Sequence, residues 1–271
     1  AAGESLDRTL GRFAYLVVAS KFRHVELLVA LAALQVRRGA EGDADAARTN
    51  LQRALAIDDA HMPALNLLAQ SYLTRARKSP PSLVLAGAER RSARRQMLDL
   101  AALVTSQAIR KNARYAPIHN TAGLIAVELA DYNGALRSFS RARALDPRFV
   151  EAHANYAAVS LSLRGYVQAE KAYRNALALG ADDYETPLGL ALALRGAATP
   201  ASQRQIAEAK RHLQAAKRIA PERPEAYYNE ALLLEELDAK HAQGRAAIDT
   251  LRRAQQLYAE FRTRAGPAHR D

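Results

Sequence analysis

Residues 116–149 read APIHNTAGLIAVELADYNGALRSFSRARALDPRF, and residues 150–183 read VEAHANYAAVSLSLRGYVQAEKAYRNALALGADD. Laid one under the other they align without a gap. His119 stands over His153, Tyr132 over Tyr166, Ala135 over Ala169, Phe139 over Tyr173 and Ala142 over Ala176, each pair 34 residues apart. In each stretch the last three positions are separated by four and then three residues, so they share one helix face. A period of this size signals a chain of repeated helical units, not a single irregular core.

The composition inside the unit explains how two helices fit together. Gly123 and Ala157 are small enough for the two helices of a unit to approach closely; Ala142 and Ala176 do the same toward the following unit, and Phe139 and Tyr173 fill the remaining space. Asp146-Pro147 ends a helix, because a residue before proline avoids helical geometry and proline cannot donate the backbone hydrogen bond. These residues resemble the tetratricopeptide repeat, whose pattern has a small residue at its eighth position, an aromatic at its seventeenth, Ala at its twentieth, a bulky residue at its twenty-fourth, Ala at its twenty-seventh and Pro at its thirty-second. Gly123, Tyr132, Ala135, Phe139, Ala142 and Pro147 match all six; the second stretch matches through Ala157, Tyr166, Ala169, Tyr173 and Ala176, and places Ala181 where proline is usual.

The frame extends both ways once insertions are allowed. Ala191, Ala209, Leu213, Ala216 and Pro221 mark a unit over 184–223, and Tyr227, Ala231, Ala247, Leu251 and Ala254 one over 224–261. Upstream, Ala69, Ala101 and Ala108 mark 62–115, which carries a basic insertion over 75–98, and Ala32, Ala47, Leu51 and Ala54 mark 25–61. An all-α solenoid of six helix-turn-helix units is expected. Residues 1–24 should supply an additional helix over the open end, since each repeat contacts only its neighbours; residues 262–271 should be a mobile tail.

Composition is consistent with a folded, all-helical chain: 49% of 271 residues are hydrophobic and 25% charged. The 39 basic against 28 acidic residues leave a charge of +11, which favours an acidic partner, nucleic acid or an anionic membrane surface. No cysteine is present, excluding disulfides, thiolate metal sites and a cysteine nucleophile. The longest purely apolar run, residues 27–34, is too short to cross a bilayer. The first residues, Ala1-Ala2-Gly3, carry no methionine or signal region, as expected of a trimmed or processed form.

A nucleophile elbow, a phosphate-cradling glycine loop, a metalloprotease helix and paired metal ligands are all missing from the sequence, so neither catalysis nor a cofactor is expected. His119 and His153 recur at a packing position of the repeat, and Asp58-Asp59 and Asp182-Asp183 sit where helix caps and turns are needed.

The resemblance implies that the first helix of each unit lines a groove that holds a protein or peptide. On those positions stand Asn66, Gln70, Asn120, Leu124, Asn155, Ala158, Leu192, Arg195, Tyr228 and Asn229. Asn can donate to and accept from a bound backbone, while Leu and Ala receive side chains; the alternative is that the leucines are inter-helix core. Lysines of the family's carboxylate clamp are missing, so capture of a C-terminal carboxylate is not expected.

The insertion adds Arg75, Arg77, Lys78, Arg90, Arg91, Arg94 and Arg95 against Glu89 alone, which reads either as a solvated helix extension or as an alternative surface for an acidic partner, nucleic acid or an anionic membrane. Without interleaved aromatics to stack on bases, nucleic acid is the weakest of these partners. Tyr258 and Phe261 are expected to form a contact for a partner or a second copy, or else to fold back on their own unit. Ala-rich runs such as Asn120-Thr121-Ala122-Gly123 and residues 223–229 look like those of bacterial tetratricopeptide proteins serving envelope machines, which implies a periplasmic or envelope location over the cytoplasm.

Overall fold

The computed structural model describes residues 2–79, 93–199 and 201–266. The chain divides into two compact units, residues 1–147 and 148–271, and no strand occurs among the described residues.

The first unit holds α1 (Ala2–Ala19), α2 (Val25–Arg38), α3 (Asp43–Ile57), α4 (Met62–Lys78), α5 (Ala93–Lys111), α6 (Ala116–Glu128) and α7 (Tyr132–Leu145). Antiparallel neighbours pair as α2 with α3, α4 with α5 and α6 with α7, and the first helices touch in series, α2 on α4 and α4 on α6. Leu10, Phe13, Ala14 and Val17 of α1 pack on a core of Leu28, Leu31, Ala32, Ala47, Leu51 and Ala54.

The second unit holds α8 (Val150–Ser162), α9 (Tyr166–Ala178), α10 (Glu185–Ala197), α11 (Gln203–Ile219) and α12 (Glu225–Leu233). A π-helical segment, Leu234–Asp238, then leads through the short α13 (Ala239–His241) to α14 (Gly244–Ala265). Ala157, Tyr173, Leu190, Leu194, Ile206 and Leu213 form its main core. α14 lies against α12 and runs to Ala265, four residues into the segment expected as a tail; residues 267–271 lie outside the described residues.

Close approach is visible at the glycines. A Cβ added to Gly123 would stand 2.5 Å from Cε1 of Phe139, and one added to Gly189 would strike the Tyr173 ring. Phe139, Ala142, Ala169 and Ala176 have no solvent exposure. Burying a side chain of the size of Phe139 contributes about 1.5–3 kcal/mol, which the missing Cβ makes available by letting the ring sit on bare backbone.

The turns repeat with the same 34-residue period as the side chains. Ala130 and Arg164 both adopt left-handed backbone with φ of 59°. Behind them the amide of Asp131 donates to Ala126 O at 2.9 Å and that of Gly165 to Ser160 O at 2.8 Å. Where the second stretch lacks proline, Gly180 takes φ of 98° and the amide of Ala181 donates to Ala176 O at 3.0 Å. A left-handed glycine cap thus does the work of Asp146-Pro147.

Aspartates close several helix ends. Asp131 Oδ1 accepts from the Gly134 amide at 2.8 Å, Asp183 Oδ1 from the Thr186 amide at 2.7 Å, and Asp58 Oδ1 from the Ala60 amide at 3.0 Å. Asp43 is buried between α2 and α3, where it accepts from Arg38 Nε at 2.8 Å, Arg38 Nη2 at 2.5 Å and the Ala40 amide at 2.9 Å. The Arg38 hydrogen bonds hold its carboxyl below the usual range against the opposing effect of burial.

Candidate partner-binding faces

The first helices of the unit built from α2, α4 and α6 carry Asn66, Gln70, Asn120 and Leu124. Asn66 and Asn120 are buried. The Asn66 amide oxygen accepts from Thr121 Oγ1 at 2.7 Å, and Gln70 Nε2 donates to the same hydroxyl oxygen at 3.3 Å. Thr121, fully buried, therefore ties two residues of α4 to α6. A bound backbone N–H reaching Asn66 Oδ1 would have to share that oxygen with the Thr121 hydroxyl. Leu124 is half-buried on the cluster of Leu73, Ala76, Leu98, Ala101 and Ile125, as inter-helix core would be. His119 is also buried, with Nε2 2.9 Å from Ala113 O.

A cleft opens beside this network. About 180 Å3 in volume, it lies among α2, α4 and the α2–α3 turn, lined by Gln35, Val36, Ser71, Thr74, Arg75 and Lys78 among others. Its rim is cationic. Arg48 and Arg75 both reach the single carboxylate of Asp45, and Arg48 Nη1 is buried without a hydrogen-bond partner. Burial, and then the neighbouring Arg75 charge, push Arg48 below its ordinary pKa. Two guanidiniums share one carboxylate, and of these cations Arg75 lines the cleft together with Lys78.

Gln35, Ser71 and Thr74 were not singled out from sequence. A signal existed for the first: Gln35 is the one uncharged polar residue in VELLVALAALQVRR of α2.

In the second unit Asn155 and Leu192 are half-buried and Ala158 is exposed. Arg195 has a buried Nη1 with no hydrogen-bond partner. Asn229 is half-buried, and its Nδ2 donates to Glu225 O of its own helix at 2.8 Å. Tyr228 stays 40% exposed and meets two rings of its own chain: its ring centroid lies 5.9 Å from that of Tyr258 and 5.1 Å from that of Phe261. Tyr258 Oη also donates to Glu235 Oε2 at 2.6 Å. Tyr258 and Phe261 thus fold back on the first helix of their own pair, and both are half-buried against Tyr227, Ala231, Leu234, Ala254 and Leu257.

Three further cations of the basic insertion meet carboxylates. Arg77 Nε and Arg94 Nη2 each donate to Glu128 of α6 at 2.7 Å, and Arg95 Nε donates to Asp99 at 3.0 Å. Burial raises the Glu128 carboxyl, and the two guanidiniums outweigh it, leaving the group below its ordinary value. Arg90 and Arg91 lie outside the described residues.

No protein-family model matches the chain, and no curated protein does. Solved structures do. A thermophilic TPR protein of Thermus thermophilus is 26% identical with a TM-score of 0.58, over 70% of this chain and 90% of that one. The pilF protein of Pseudomonas aeruginosa, solved in a functional characterisation, is 18% identical with a TM-score of 0.63, over 88% of this chain and 94% of that one. YrrB, a TPR protein with an unusual peptide-binding site, is 15% identical with a TM-score of 0.50, over 79% of this chain and 95% of that one. With successive helix pairs, close packing of rings on glycines and turns at Ala130 and Arg164 that repeat 34 residues apart, the fold of this chain is the tetratricopeptide-repeat fold.

Proposed function

We propose that the protein is a non-enzymatic adaptor that holds a protein or peptide partner on the first-helix faces of its repeats and so assembles a complex. The observation that carries the reading is the cleft among α2, α4 and their turn, with Gln35, Ser71 and Thr74 as polar lining and Arg75 and Lys78 as cations. An extended segment laid across α2 and α4 would place an acidic side chain in the cleft, where Arg75 and Lys78 receive it. Arg195, with its own unsatisfied Nη1, is a second acceptor-seeking position on the corresponding face of the second unit. The peptide-binding site described for YrrB lends the same fold a precedent. The packing of His119 and His153 inside the helix pairs supports a role without chemistry, because both are buried.

The test is selection of a random peptide library on the full chain, followed by binding of the enriched peptides in solution. Enrichment of Asp and Glu is expected, with at least tenfold weaker binding to Arg75→Gln/Lys78→Gln at an unchanged unfolding midpoint. Failure to enrich any peptide, or equal binding by that variant, refutes the assignment.

A further inference from the structure

α1 shields the α2–α3 core with one face, yet it is apolar on both. Leu10, Phe13, Ala14 and Val17 turn inward, while residues 13–19, FAYLVVA, run without a polar interruption. The outward residues of that run are left in solvent: Tyr15 is 73% exposed, Val18 60% and Leu16 44%, and Phe22 just past the helix is 38% exposed. A helix apolar all round is ordinarily covered, and a cluster of this kind marks a contact surface. Phe22 is held in place by an uncommon backbone. Lys21 and Phe22 are both left-handed, with φ of 53° and 58°, a conformation that non-glycine residues rarely adopt. The Arg53 guanidinium sits 4.6 Å from the centre of the Phe22 ring.

The charges around the patch have one sign. Residues 8–25 contain no Asp or Glu, and Arg8 and Arg12 precede the apolar run while Lys21 and Arg23 follow it. Arg8, Arg12 and Tyr15, four and three residues apart, share one stripe of the helix. Asp7, at the edge, is engaged by Arg38 at 3.2 Å. A second copy is disfavoured as the occupant, because antiparallel pairing of two α1 helices would set Arg8 and Arg12 opposite Lys21 and Arg23. A partner helix would find little to grip, since the shallow depression at Gly11 is walled by Arg8, Arg12, Tyr15 and Leu16 of α1 alone. Protruding apolar side chains with cations at both ends instead suit a headgroup layer.

We propose that α1 docks the protein on an anionic lipid bilayer. The helix lies in the interface, with Tyr15, Leu16, Val18 and Phe22 entering the acyl boundary and Arg8, Arg12, Lys21 and Arg23 meeting lipid phosphates. It rests on the membrane and does not cross it, as no helix among the described residues is long and apolar enough to span. The docking face is separate from the cleft between α2 and α4, so an adaptor bound to its partner can still reach the membrane.

The chain contains no tryptophan, so Tyr15→Trp supplies a single fluorescent reporter in the patch. Mixed with vesicles of phosphatidylcholine and phosphatidylglycerol, its emission should shift to the blue and be quenched by brominated acyl chains, and neither should occur with phosphatidylcholine alone. Tyr15→Ser/Val18→Ser should abolish co-sedimentation with the anionic vesicles while leaving helicity intact, because both side chains are exposed. Arg8→Gln/Arg12→Gln should weaken binding about 30-fold, at about 1 kcal/mol per cation. Vesicle binding without the blue shift would mean generic attraction to other basic surfaces and would overturn the proposal, as would full binding by the serine variant. Absence of vesicle binding overturns it too; a dimer that the serine variant dissolves would then assign the face to a second copy, and an acidic protein held through the same residues would assign it to that partner.

Discussion

Two glycine-to-alanine substitutions, identical in chemistry, are expected to move stability in opposite directions. Gly11 is exposed inside α1, and a Cβ there meets nothing within 4 Å. Gly123 is inside α6, and a Cβ there stands 2.5, 2.7 and 2.8 Å from three atoms of the Phe139 ring. Both substitutions gain helix propensity, about 0.5–1 kcal/mol. Only Gly123→Ala must also displace a ring that has no solvent exposure and therefore nowhere to go, an overpacking cost of about 1–3 kcal/mol. Gly11→Ala should therefore stabilise the first unit by about 0.5–1 kcal/mol, and Gly123→Ala should lose up to about 2 kcal/mol, a gap of about 1–3 kcal/mol from the contact alone. Both positions lie in the first unit, so urea unfolding followed by far-ultraviolet circular dichroism reads one and the same transition. With a urea slope of about 1–3 kcal/mol per M, the midpoints should differ by on the order of 1 M. Adding Phe139→Leu should recover part of the Gly123→Ala loss, since neighbours that collide are not additive. If Gly123→Ala raises the midpoint as much as Gly11→Ala, the ring is not seated on the glycine and the packing argument for the repeat fails.

Thr121→Val should lower the stability of the first unit by about 1–3 kcal/mol, because the buried Asn66 Oδ1 and the Gln70 amide both lose their partner; Thr121→Ser should recover most of it in the same urea assay. Asp43 and Glu128 titrate below their ordinary values in the folded chain, so their contribution is fully present above the unfolded carboxylate pKa and is lost as pH falls through the folded one. Urea midpoints should hold at neutral pH and drop below about pH 4, and Glu128→Gln should flatten part of that slope. Tyr258→Ser/Phe261→Ser should cost the second unit about 2 kcal/mol, since two half-buried rings are removed from Tyr228. Light scattering should report an unchanged mass, and a mass that falls with unchanged stability would restore the surface-contact reading.

The helix pairs were legible because their information is local. Ala135, Phe139 and Ala142 declare a face by spacing alone, and a second copy 34 residues on confirms it. The inward asparagines were not legible, for a physical reason: the first helix of a repeat packs on its own partner and also on the first helix of the neighbouring pair, so little of its circumference is free. A helical period identifies a face without saying which of three surroundings that face meets. Asn66 is paired with Thr121, a residue 55 positions away, and no pattern within α4 encodes that. The same limit applies to the insertion, whose positive balance reads as a free surface until Glu128 is brought between Arg77 and Arg94. The turns at Ala130 and Arg164 were hidden differently. Left-handed backbone usually announces itself through Gly or Asn, and here the i−5 hydrogen bonds impose it on alanine and arginine.

The terminal helices α1 and α14 face a common problem and differ in the arc over which their apolar residues spread. Ala254, Leu257, Tyr258 and Phe261 of α14 fall within about 100° of the helix circumference, the width of stripe that one neighbour can cover. α12 covers it, with Tyr228 meeting both rings. In α1 the run at residues 13–19 occupies the whole circumference, so any single neighbour leaves half of it bare. α2 takes the half that carries Phe13 and Val17, and the half that carries Tyr15 and Val18 stays in water. If α1 served only to close the first unit, polar residues at Tyr15 and Val18 would do so equally well, because neither contributes to the core beneath. The serine variant of α1 is therefore expected to match the unsubstituted chain in urea while the serine variant of α14 falls below it. The contrast between the two follows from the angular spread of apolar residues in the sequence.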